Sequence, residues 1–170
     1  GLGDVYKRQG LKRYIRTFML LIFTSLVLIV LGWRSASPNY LYFLPPFVQS
    51  IAIVLIVLAF ILFVAATHPT RIKRFIRHPQ LTGVVLWAIA HLLLNGDSRS
   101  VLLFGWLGVW AILEIILISK RDGKWIKQPA PEPKLEAKVF VKAAIGVTVI
   151  ALLHPYFTGM HAIEYLHSMF

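Results

Sequence analysis

The chain contains no cysteine in 170 residues. That absence excludes disulfide frameworks, thiol redox centres and cysteine-ligated zinc or iron–sulfur sites, and it leaves histidine as the main side chain able to bind a metal. Charge is also scarce: Asp and Glu number seven against eighteen Lys and Arg, and charged residues make up 15% of the chain. The hydrophobic share is 58% and the mean hydropathy +0.72, well above the roughly 45–50% apolar content of soluble domains. These values exclude an ordinary soluble domain and point to an integral membrane protein. The formal net charge of +11 would suggest nucleic acid in a soluble protein. Here the basic residues form short clusters between apolar runs, without stacking aromatics or a folded recognition module, so nucleic-acid binding is not expected. No P-loop, Ser-His-Asp arrangement or dinucleotide fingerprint is present, and Gly105 and Gly108 read as small helix-packing positions.

Residues 1–9, Gly-Leu-Gly-Asp-Val-Tyr-Lys-Arg-Gln, read as the translation of a transposase sequencing adapter and are set aside from the fold. With no initiating methionine, part of the natural N-terminus is expected to be missing. The remainder, 10–170, is read as one integral membrane domain.

Five apolar runs stand out: Thr17–Trp33, Phe47–Thr67, Pro79–Asn95, Val101–Ser119 and Val139–Phe157. Each suits a helix needing about 17–25 mostly apolar residues, and backbone polar groups in lipid must be satisfied within the segment. The predicted fold is therefore an all-α polytopic helical bundle with five spans. The third run is the shortest, strictly apolar only over Leu81–Leu94, and could be a re-entrant or a spanning helix. Asn95-Gly96-Asp97-Ser98 then reads as a tight turn, with Gly96 free to take positive φ, closing a hairpin onto the fourth run.

Fourteen Lys and Arg fall in three segments on one side: Lys12–Arg16, Arg71–Arg77 and Lys120–Lys142. The alternate loops hold only Arg34 and Arg99, so the positive-inside rule assigns the three basic segments to the cytoplasm and 35–46, 95–100 and 158–170 to the outside. Lys142 lies close enough to the inner end of its run to snorkel. The stretch 120–138 contains Pro129, Pro131 and Pro133 and reads as an extended linker that binds anionic headgroups or a docking protein. Trp33, Tyr40, Tyr42, Trp125 and Tyr156 sit near run ends and read as an interfacial belt.

Ionisable groups at membrane depth are expensive and default to functional candidates. His91 and His154 lie near the outer ends of the third and fifth runs, His78 lies at the inner lip of the third, and Glu114 lies in the inner half of the fourth. Trp87, His91 and Asn95 share one helix face at intervals of four. Glu114 should come level with Gly83 or Val84 and be either protonated or paired with Arg77, His78 or a loop arginine. The histidines could offer imidazoles to haem iron or hydrogen-bond between helices. His68, His161 and His167 read as solvated.

The stretch Arg71 to Gly83, with Arg77-His78-Pro79 at its centre, followed by Leu86 to Asp97 with His91-Leu-Leu-Leu-Asn95-Gly96, resembles the core signature of the NnrU family of bacterial membrane proteins. His154-Pro155-Tyr-Phe-Thr-Gly159 resembles that family's closing segment. The resemblance runs from about Leu11 to Ala162. It implies an inner-membrane protein linked to denitrification, through the expression or activity of nitrite and nitric oxide reductases, with components of those reductases as partners. It also implies a sixth, N-terminal helix carrying a histidine.

A plant relative, zeta-carotene isomerase, uses haem b with histidine ligation. By that likeness His78 is the best ligand candidate for haem b, with His91 and His154 as an outer alternative and Arg77, Gly83, Asn95 and Glu114 as supporting residues. A cofactor-free assembly or regulatory factor is the second expectation. A third is a methyltransferase, since His78, Pro79 and Gly83 match part of an S-adenosylmethionine-binding pattern of isoprenylcysteine carboxyl methyltransferases. Leu81 replaces the tyrosine of that pattern, and Glu164 stands alone where those enzymes carry paired glutamates.

Overall fold

A computed structural model describes the backbone of residues 2–127, 129 and 131–159, with side chains among them from Gly10 onward. Five α-helices follow in order: α1 (Leu2–Ser35), α2 (Phe47–Thr67), α3 (Pro79–Leu94), α4 (Ser98–Asp122) and α5 (Pro133–Thr158). A short 3₁₀ turn, Arg71–Arg74, links α2 to α3. No named strand occurs among the described residues. The all-helical architecture is the predicted one.

Four of these helices are long and apolar enough to cross a membrane, so the chain is a multi-pass membrane protein. α3 is the exception to the expected five: with 16 residues it is about 24 Å long, against a hydrocarbon core of about 30 Å. Local chemistry fixes both of its ends. Pro79 occupies its first turn, where a missing N–H costs nothing. Asp97 ends the turn after it by capping α4, accepting from the backbone N–H groups of Arg99 and Ser100 at 3.1 Å.

The apolar run of the fifth segment begins at Val139, yet α5 starts six residues earlier, because Pro133 also suits a first helical turn. α4 likewise runs on to Asp122, so the stretch between α4 and α5 is 123–132, shorter than the predicted linker. Gly123 takes φ 63° there, a conformation that favours glycine.

α2 is the hub, packed against α3 on one side and α5 on the other, while α3 also packs on α4. Small residues make this close approach workable, as membrane helices gain little from hydrophobic exclusion between one another. Ala52, Ala59 and Ala65 of α2, Ala88 and Ala90 of α3 and Ala143 of α5 are buried. A Cβ on Gly83 would lie 2.8 Å from the Phe63 ring and 3.1 Å from the Ala59 carbonyl oxygen. The outward faces stay apolar: Phe18, Leu20, Phe23 and Leu28 of α1 and Leu102, Trp106 and Leu117 of α4 are all exposed. A surface of that kind belongs in lipid.

α1 meets the other helices at one end. Its Arg34 donates to the Tyr156 carbonyl of α5 at 3.2 Å, and its Trp33 ring meets the Phe104 ring of α4 edge-on at 6.0 Å.

Candidate functional site

α3 and α4 are antiparallel, with three contacts that set their register. His78 Nε2 lies 2.9 Å from Ser119 Oγ, the Ala88 Cβ lies 3.4 Å from where a Gly108 Cβ would be, and the His91 ring stacks on Phe104 at 4.4 Å. His78 and His91 therefore sit at opposite ends of one helix, about 20 Å apart at 1.5 Å per residue. They cannot serve the same iron.

The end carrying His91 is aromatic. Trp87 lies 4.7 Å from the His91 ring and meets Phe104 edge-on at 5.0 Å, and Trp33 closes against Phe104 from α1. The His91 Nδ1 lies 2.8 Å from the Trp87 carbonyl oxygen. A carbonyl only accepts, so Nδ1 carries the proton and Nε2 keeps its lone pair. Among the described residues nothing hydrogen-bonds that Nε2. His154 of α5 lies within electrostatic range of His91, and its Nδ1 is 3.2 Å from Thr158 Oγ1. His91 and His154 thus lie towards the same end of the bundle, and His78 lies at the other.

The wall of this end is the connection 36–46 folded over the α3–α4 turn. Leu41 and Tyr42 donate backbone N–H groups to the Gly96 carbonyl at 2.7 and 3.2 Å, and Ser98 donates to the Asn39 carbonyl at 2.8 Å. The Tyr42 hydroxyl donates to the Leu92 carbonyl at 2.5 Å, satisfying one of the orphan acceptors at the end of α3. Burial and the nearby Asp97 charge push the Tyr42 hydroxyl above its usual pKa, which keeps it a donor.

Gly96 does not take positive φ, contrary to expectation. It is glycine because a Cβ there would fall 1.9 Å from the Tyr42 carbonyl oxygen. Asn95 donates its side-chain N–H to the His91 carbonyl at 3.1 Å, so it closes the helix end.

Arg99 completes the aromatic end. Its guanidinium lies 4.5 Å over the Trp33 ring, donates through Nη1 to the Trp33 carbonyl at 3.0 Å, and faces Asp97 Oδ1 at 3.4 Å from Nε. Buried Asp97 also accepts from the Ser100 hydroxyl at 2.6 Å. Trp33 and Tyr42, expected in an interfacial belt, are structural parts of this cluster. The sequence signal for Arg99 was its place: one of only two basic residues in the loops of the sparsely charged side, it needs a partner or a task. An Asp directly before an apolar helix is an N-cap signal.

The opposite, basic end holds the other candidates. Arg77 donates to the Gly123 carbonyl at 2.8 Å, tying the α2–α3 connection to the α4–α5 connection. His78 precedes α3, and its pKa is lowered first by partial burial and then by the Arg77 charge. Glu114 is half-buried and, by the register above, level with Gly83. It makes no ion pair among the described residues, so of the two expected states, protonated or paired, the pairing with Arg77 or His78 does not form: Arg77 goes to a carbonyl and His78 to a serine. Gly83 serves helix packing. His68, expected to be solvated, accepts at Nε2 from Lys142 at 2.6 Å while its Nδ1 lies 3.0 Å from the Val64 carbonyl oxygen. Lys142 is therefore paired with a histidine. His161, His167 and Glu164 lie outside the described residues. No group of three or more potential metal-binding side chains occurs among the described residues.

The profile of one protein family, described as NnrU protein, matches residues 3–162, nearly the whole chain. The chain belongs to the NnrU family. The match begins inside the 1–9 stretch that reads as adapter sequence, and it takes in both the Arg77-His78-Pro79 segment and the His91–Asp97 segment. No curated protein matches this NnrU chain, and no solved structure does.

Proposed function

We propose that this NnrU-family membrane protein holds haem b at its aromatic end, with His91 as the principal iron ligand and His154 as its neighbour, in support of nitrogen-oxide reduction in a bacterial inner membrane. On this reading the basic end faces the cytoplasm, and components of nitrite or nitric oxide reductase are the partners. The observation that carries it is the His91 ring: Nδ1 bound to the Trp87 carbonyl, Nε2 left with a lone pair, and the ring lying against Trp87 and Phe104.

A backbone carbonyl on one imidazole nitrogen is the usual way to orient a ligating ring and raise its basicity. The residues fit the group in two further respects. Trp87 and Phe104 beside His91 are aromatic side chains of the kind that pack on a macrocycle, and a guanidinium, Arg99, lies over Trp33 in the same cluster. When bound, haem would supply one-electron chemistry. The chain's own part is to fix the ring, exclude water with the Trp33–Phe104–Trp87 cluster and hold the helix ends together. His78, favoured by the resemblance, has Ser119 at hydrogen-bond distance of its Nε2.

The test is an absorption spectrum of the purified protein, oxidised and dithionite-reduced, with His78→Ala, His91→Ala and His154→Ala beside it. A Soret band that survives His78→Ala and is lost in His91→Ala is expected. A flat spectrum from folded protein supplied with haem during growth would overturn the reading. The second reading, a cofactor-free assembly factor, then leads. It is favoured by the polar side chains that tie α5 to the connection after α2, Glu136 to Thr70 and Lys142 to His68.

A further inference from the structure

Two donors buried at the aromatic end have no hydrogen-bond acceptor among the described residues: the indole Nε1 of Trp33 and Nε of Arg99. Buried polar groups are almost always satisfied, so each orphan asks for a missing partner. The acceptors nearby are already engaged. Asp97 takes the N–H groups of Arg99 and Ser100 on Oδ1 and the Ser100 hydroxyl on Oδ2. Its 3.4 Å contact with Arg99 Nε is a charge contact without hydrogen-bond geometry. The Trp33 and Ala36 carbonyls take Arg99 Nη1. The Arg99 side chain remains 21% exposed, which leaves an approach from outside.

We propose that Trp33 Nε1 and the Arg99 guanidinium form a binding site for an anionic oxygen group, a carboxylate or a phosphate, where α1 crosses α4. The chemistry follows from the donors. Both are N–H groups with no acceptor function, one belongs to a permanent cation, and its fork geometry matches a planar or tetrahedral oxyanion. Asp97 keeps the guanidinium in place without filling its fork. Two sources supply such a group here. One is a propionate of haem held by His91, a source that rests on the function proposed above. The other is the phosphate of a lipid headgroup at this face of the membrane, which is independent of it.

The experiment compares wild type with Trp33→Phe, which removes the indole N–H but keeps a ring for Phe104, and with Arg99→Lys, which keeps the charge but removes the fork. Circular dichroism in phosphatidylcholine nanodiscs establishes that each is folded. In the first arm, haem b and its dimethyl ester are titrated and followed by absorption. In the second, thermal unfolding is compared in phosphatidylcholine nanodiscs with and without phosphatidylglycerol.

A carboxylate site gives free-acid haem about tenfold tighter binding than the diester, as expected for a charge-assisted hydrogen bond, with the gap closing in both variants. A phosphate site gives a rise in Tm with phosphatidylglycerol that both variants lose. If neither form of haem binds while the lipid effect is present and lost in the variants, the haem reading fails and the anion site stands. The proposal is overturned if wild type shows no preference in either arm, or if its preferences persist unchanged in the two variants.

Discussion

At the basic end Glu136 of α5 accepts from the Thr70 hydroxyl and the Arg71 backbone N–H, Lys142 of α5 donates to His68, and His78 meets Ser119 across the α3–α4 pair. At the aromatic end Tyr42, Asn95, Gly96, Asp97 and Arg99 are knotted into one turn and the chain folded over it, yet His91 Nε2, Trp33 Nε1 and Arg99 Nε are left over. Both ends are rich in polar contacts. At the first, apart from Glu114, the named side chains satisfy one another in pairs and tie helices to neighbouring helix ends and connections. At the second, rigid backbone positioning comes with unfilled donor and acceptor capacity. Pairs that close on themselves are what structure requires, whereas capacity held open in a fixed frame is what a ligand requires.

The sharpest way to break this comparison is Gly96→Ala. The new Cβ would collide with the Tyr42 carbonyl oxygen, which is backbone and cannot swing aside. Segment 36–46 must lift from the turn, at an expected cost of about 3 kcal/mol. Thermal unfolding in detergent measures that cost. The absorption spectrum should then lose the His91-dependent band, while His78→Ala leaves it intact. A Gly96→Ala protein as stable as wild type would mean that the turn is not the frame it is taken to be.

Asp97→Ala should come next, at about 2 kcal/mol, since a lost N-cap is joined by an Arg99 left without its counter-charge. Asp97→Asn separates the two, because an amide oxygen can still cap the helix. If Asn restores stability but not the anion preference of the Arg99 site, the carboxylate has been holding the guanidinium. At the basic end, Glu136→Gln should cost only about 1 kcal/mol, one charge-assisted contact becoming a neutral one. It should not alter any spectrum. A spectral change there would show that the two ends are coupled.

The helices, their order and the short third segment were all legible in the sequence, because apolar run length and flanking charge are local properties. His91 and His154 were legible as lying towards the same end of their helices, and Glu114 as level with Gly83, because helix rise is fixed. What escaped was side-chain partnership. Tyr42 and Trp33 have the composition and position of belt residues, and only the folding of 36–46 over the α3–α4 turn turns them inward. Gly96 was recognisable as necessary but for the wrong reason: a turn glycine usually signals positive φ, and here it signals a carbonyl from a segment more than fifty residues earlier. Of the two states open to Glu114, protonated or paired, the pairing with Arg77 or His78 does not form, for a similar reason. Arg77 was captured by the Gly123 carbonyl, a partner set by where α4 ends.

The smallest predicted effect tests the basic end through pH. His78 is held below its ordinary pKa by partial burial and by Arg77, which together outweigh the opposing pull of Asp122. Its folded pKa therefore lies below its unfolded value of about 6.5, so the unfolded chain binds more protons over that window. Stability should be full above the unfolded pKa, fall as pH drops from there towards the folded pKa, and level off beneath it. The same protonation removes the lone pair through which Nε2 can accept from the Ser119 hydroxyl, leaving an N–H that can only donate to it. His78→Gln removes the titration while keeping a polar side chain for Ser119. The difference between the two unfolding-versus-pH curves should thus carry that slope in the mildly acidic range and be flat above neutrality. A wild-type advantage over His78→Gln that instead shrinks as pH rises would place the histidine's charged form in the fold, reversing the balance between burial and Asp122 that distinguishes this end from the other.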